Sequence, residues 1–222
     1  MDDPVNAPEL GDPGARALRW WLLAAVAAAS GLGLAAELWN AASASPLREA
    51  IVPKLSLSYE HNVPTWLSSS LLLACALAAG AVARRERRWR RHWWGVAAVF
   101  GYASLDEAAE LHEHLGGHLE TSGVLYFDWV IPAVAILGVL AAVFLPFVRA
   151  LAPATRWRLI LAGAIYIGGA VGMELPLGWW VERAGPDNLG YALIDWVEET
   201  MEMIGASLAV VALVAHRREE VP

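Results

Sequence analysis

Six apolar stretches, roughly 18–39, 64–83, 93–114, 129–148, 157–179 and 192–215, set the terms on which this chain can fold. Each comes close to the length of about 20 residues that an α-helix needs to cross a bilayer at about 1.5 Å of rise per residue. They leave little of the 222 residues for a soluble domain, and the 57% hydrophobic, 18% charged composition agrees with that. The expected fold is all-α: a polytopic membrane helix bundle of about six transmembrane helices, forming one domain over 16–218. Residues 1–15, rich in Pro, Asp and Gly, read as a disordered cytoplasmic tail, and 219–222 as a second short one.

Charge sorting orients the bundle. With both termini on one side, only Arg48, Lys54 and Arg183 of the sixteen Lys and Arg fall on the other. Basic residues collect on the cytoplasmic side of membrane proteins, so both termini are expected to be cytoplasmic and the loops near 41–63, 115–128 and 180–191 to face outward. The run from Arg84 to Arg91 reads as a headgroup anchor, not a nucleic-acid patch. Acidic residues and four histidines, His61, His112, His114 and His118, gather on the outer side, which would draw a cation or proton there. The implied location is the inner (plasma) membrane, multi-pass, with the bilayer as partner and the acidic side toward the periplasm or exterior.

Carboxylates inside apolar spans are the second signal. An ionised carboxylate in hydrocarbon costs several kcal/mol unless it is paired or neutralised, so such residues mark functional sites. The third span runs into Asp106, Glu107, Glu110, Glu113 and His114 before Gly116 and Gly117 end it. Read as a helix to His114, it places Asp106, Glu110 and Glu113 on one face and points His112 away. The sixth span repeats the pattern with Asp195, Glu198, Glu199 and Glu202 within an arc of about 100°. In the fifth span, Gly168, Gly169 and Gly172 allow close helix approach, and Glu174 precedes Pro176, whose missing N–H is expected to kink or fray the outer end. Glu60 and His61 stand just before Pro64, which is suited to open the second span. The fourth span carries no ionisable residue between Asp128 and Arg149 and reads as a lipid-facing or packing wall. The lone Cys75, among Leu and Ala, reads as packing.

Facing carboxylates and imidazoles are the ingredients of a metal site, since oxygen ligands suit hard divalent ions and histidine adds affinity for Zn or Fe. The candidate ligands are Glu110, Glu113, His114, Glu199 and Glu202. Glu60 and His61 are the candidate acid/base pair, and Asp106, Glu107, Glu174, Asp195 and Glu198 the remaining cavity residues. A divalent metal, Zn or Fe by preference, is the expected cofactor. Neither a Glu-x-x-His di-iron motif nor a His-Glu-x-x-His protease motif is present. Clustered carboxylates also share protons and make relays, which keeps a proton- or cation-coupled transporter open beside the metalloprotein. A purely structural or assembly protein with a negative outer face is the third reading.

Three segments, Glu60–Ser69, Leu105–Glu113 and Glu198–Gly205, make the chain resemble a group of uncharacterised multi-pass bacterial membrane proteins. The resemblance spans most of the chain and implies that these segments form one site, without implying an activity. More distantly, the outer carboxylate and histidine arrangement is similar to intramembrane zinc hydrolases of the alkaline ceramidase type, although their histidine trio has no match here. The sequence therefore leads to an outward-facing intramembrane site, metal-binding and acting on a lipid or small amphiphile, with the question of catalysis left open.

Overall fold

The structure, a computed structural model, describes residues 13–219. The expected tails fall for the most part outside the described residues, at 1–12 and 220–222. Every regular element among the described residues is helical: α1 (Pro13–Ala42), α2 (Leu47–Leu55), α3 (Val63–Ala83), α4 (Arg90–Ala109), α5 (Val130–Ala150), α6 (Pro153–Ile167), α7 (Glu174–Ala184) and α8 (Leu189–Glu219). A π-helical turn, Gly168–Met173, joins α6 to α7, and short 3-10 turns occupy His112–Leu115 and Gly123–Leu125.

Among the described residues, four helical stretches are long and apolar enough to cross a membrane: Arg16–Ala42, Val63–Ala83, Val130–Ala150 and Pro153–Ala184. α4 and α8 match the other two expected spans in position but are not among those four. α2 was not foreseen. It folds back from α1 inside what reads as a plain outer loop, and it ends where Ser56 Oγ donates to the buried Glu37.

Local chemistry explains several boundaries. α3 starts where Asn62 Oδ1 accepts from the Thr65 N–H at 3.1 Å, with Pro64 in the first turn, as its fixed φ favours. The Asn62 amide also donates to the carbonyls of Ser56 at 2.8 Å and Pro53 at 3.2 Å, tying α2 to the start of α3. The third span ends earlier than expected, at Ala109 rather than His114. Glu110 adopts a left-handed conformation (φ 51°), and the Asp106 carboxylate accepts from the His112 N–H at 2.7 Å, competing with a further helical turn. Pro176 lies within regular helix. The irregularity it demands appears one turn upstream as the π-helical turn, which absorbs the hydrogen bond that the proline cannot donate.

α8 is the axis of the bundle, packed by α1, α3, α6, the π-turn and α7, while α3 and α4 form a tight pair. Close approach relies on glycine. A Cβ at Gly205 would lie 2.6 Å from the Tyr166 backbone nitrogen, and one at Gly169 would lie 2.8 Å from the Glu198 carbonyl. Gly172, expected to share this role, meets only its own helix. Ser69 and Ser104 bond each other and each other's carbonyls, tying α3 to α4. Cys75, Trp93, Phe147, Ala162 and Leu213 fill the core toward the two termini. α5 leaves Val134, Ile136, Val139 and Val143 exposed along its length.

Candidate functional site: an acid-lined cavity

At the opposite end of the bundle from that core lies a cavity of about 560 Å³. Five parts of the chain supply its walls. Ser58 and Glu60 come from the loop before α3, and Asp106, Glu107, Glu110 and His112 from the end of α4 and the turn after it. Tyr126 to Trp129 enter from the loop before α5, Tyr166, Ala170, Glu174 and Leu177 from α6 through α7, and Tyr191, Asp195, Glu198, Glu199 and Glu202 from α8. The second span contributes through its preceding loop, by Ser58 and Glu60, rather than through α3 itself.

All four α8 acids reach the cavity because their spacing holds them on one helical face. Asp195 and Glu202, seven residues apart, are separated by about 10 Å along the axis. Glu198 and Glu202 are each 6% exposed and Glu174 is 8% exposed. Glu198 Oε2 is buried with no hydrogen-bond partner among the described residues. Glu174 Oε1 accepts from the Trp129 indole N–H at 3.1 Å, which fixes that ring against the wall. Among the described residues, no Lys or Arg lines the cavity.

The mouth is built differently. His61 Nδ1 lies 3.1 Å from Glu110 Oε1, and these are the two non-glycine residues with positive φ among those described. Thr65 Oγ1 donates to Glu60 at 3.3 Å. His112, expected to point away, turns in: its ring lies 3.1 Å from Asp106 Oδ2 and packs on Trp129 at 4.7 Å. Asp128 accepts from the backbone N–H groups of Leu119, Gly117 and His118 at 2.7, 2.7 and 2.9 Å. Those donors, Leu119 foremost, hold its carboxyl below the usual carboxylate range. Asp128 thereby pins the loop that roofs the cavity.

The expected ligand set does not assemble as one group. Glu110, Glu199 and Glu202 share the cavity, whereas His114 is exposed, with its ring 3.1 Å from the Glu110 carbonyl oxygen. The side chain of Glu113 lies outside the described residues. The cause is the early end of α4: once Glu110 leaves the helix, the residues after it no longer follow a helical face. Among the described residues, no three His, Cys, Asp or Glu side chains converge as a metal site. Asp106, Glu107, Glu174, Asp195 and Glu198 all line the cavity, and Glu60 joins them. Sequence reasoning missed His112, Asp128 and the aromatic residues Trp129, Tyr166 and Tyr191. The Gly116-Gly117 pair, read as the stop, lies seven residues beyond Ala109, where α4 ends.

A family model described as a domain of unknown function (DUF8692) matches residues 14–217. The chain belongs to that family. The match takes in all three segments that carried the resemblance, and it brings neither an activity nor a link to the ceramidases. Comparisons with curated proteins and with solved structures matched nothing. The reading of this DUF8692 member therefore rests on its cavity.

Proposed function

We propose that this chain is a multi-pass protein of the bacterial inner membrane, with six spans and cytoplasmic termini, whose acid cavity binds cations arriving from the outer side. The single observation that carries the reading is the buried Glu198 Oε2, without a partner in a cavity lined by many carboxylates and no Lys or Arg among the described residues. Buried charge of one sign must be neutralised by protons or by a bound cation. A cation that enters this space meets oxygen donors already in place.

A divalent metal is the simplest occupant. The deep donors are oxygens, carboxylates for the most part, which suit Mg, Ca or Mn better than Zn or Fe. Because no three groups converge among the described residues, the cavity favours an ion that keeps part of its water shell, as Mg²⁺ does. Should chemistry on a lipid or small amphiphile follow binding, Glu60 and His61 at the mouth are the groups placed for proton transfer.

The test is Mn²⁺ binding to the purified protein in detergent, followed by loss of the free-ion electron paramagnetic resonance signal. The expected result is saturable binding, weakened at least tenfold in a Glu198→Gln/Glu202→Gln variant that remains monodisperse. Saturable binding of equal strength in both proteins would move the metal out of this cavity.

A further inference from the structure

The volume and the spacing of the acids bear on which cation the cavity serves. A single ion stripped of its water needs ligands gathered around one point, and among the described residues no three side chains are so gathered. The carboxylates instead form a ladder, extending about 10 Å from Asp195 to Glu202 along α8. Glu174 faces that ladder from α7. About 560 Å³ is the size of a small organic molecule's site, far more than one ion fills.

The walls between the acids are aromatic. Tyr166 and Tyr191 line the same cavity, and Trp129 is held there by its bond to Glu174. Such rings attract ammonium groups through their negative faces and pack against methylene chains. An inorganic ion with its water shell gains little from them. The unpartnered Glu198 Oε2, in a residue 94% buried since it is 6% exposed, sits between Asp195 and Glu202 on this ladder.

We infer that the ligand class of this cavity is an extended organic cation carrying two or more ammonium groups, of the linear polyamine type. Its charged ends pair with successive carboxylates, and its methylenes lie against the rings. The inference rests on the cation reading above and narrows it to a chemical class.

Isothermal titration of the full chain in lipid nanodiscs, at fixed ionic strength, compares spermidine, Mg²⁺ and butylamine. Spermidine is expected to bind at least tenfold more tightly than either competitor. Glu198→Gln should weaken spermidine at least tenfold, with Glu199→Gln taking its place if the first variant is not monodisperse. Tyr191→Leu should weaken spermidine several-fold and leave Mg²⁺ unchanged. Mg²⁺ or butylamine binding as tightly as spermidine, or Tyr191→Leu weakening Mg²⁺ and spermidine alike, would overturn the polyamine assignment while leaving cation binding intact. No binding of any probe, with Mn²⁺ also failing, would overturn both.

Discussion

Asp128 illustrates how one side chain can do structural work at the edge of a functional cavity. Its carboxylate is an acceptor for three successive N–H groups, which otherwise face the unfavourable choice between burial without a partner and an open loop. Asp128→Asn keeps the shape and removes the charge, so it is expected to lower Tm in detergent and loosen residues 117–119. Because folding depresses this carboxyl below its ordinary value of 3.8, its stabilisation is full above that value and is lost as pH falls through the lower, folded-state value. Melting curves across this range check it: the Tm gap between the two proteins should be full near about pH 5 and close under strong acid. At this scale the sequence was informative for α8, where a regular helix makes spacing equivalent to direction. It was misleading for the direction of His112, because the Asp106 side chain captures a backbone N–H and breaks the periodicity on which the reading depended.

Elements tell a similar story. Four of the six apolar stretches recur among the described residues as helices long and apolar enough to cross a membrane, and the irregularity of the fifth lies upstream of Pro176, at Gly168–Met173, rather than at its outer end. α2 was not legible, since Pro53 inside a nine-residue helix argues against it until Glu37, Ser56 and Asn62 are seen to hold it. Helix contacts were only partly readable: Gly169 and Gly205 carry the close approach to α8 and α6, while Gly172 has the right composition on the wrong side. Gly205→Ala would put a methyl group against the Tyr166 backbone, which has no freedom to rotate away. It is expected to cost about 1–3 kcal/mol, read as a drop in Tm, and to disturb the cavity wall that Tyr166 provides. Gly163→Ala, with open space around its Cβ, is the control and should change Tm little.

For the whole molecule, the two faces of the bundle differ in kind: acids and aromatic rings at one end, a tightly packed apolar core at the other. The proposed orientation can be tested by replacing Cys75, the single cysteine, with Ser and introducing Glu120→Cys or Glu86→Cys. An impermeant maleimide applied to intact spheroplasts should label the first and spare the second. The reverse pattern would turn the cavity toward the cytoplasm. α5 adds a property that no single residue reveals. Its 21 residues span about 31 Å, and most of its surface touches no protein. In the membrane placement proposed above, a helix so lightly held by protein would follow the thickness of the surrounding hydrocarbon in its tilt. Asp128 and Trp129 sit at its N-terminal end, so in that placement bilayer thickness would bear on the shape of the cavity.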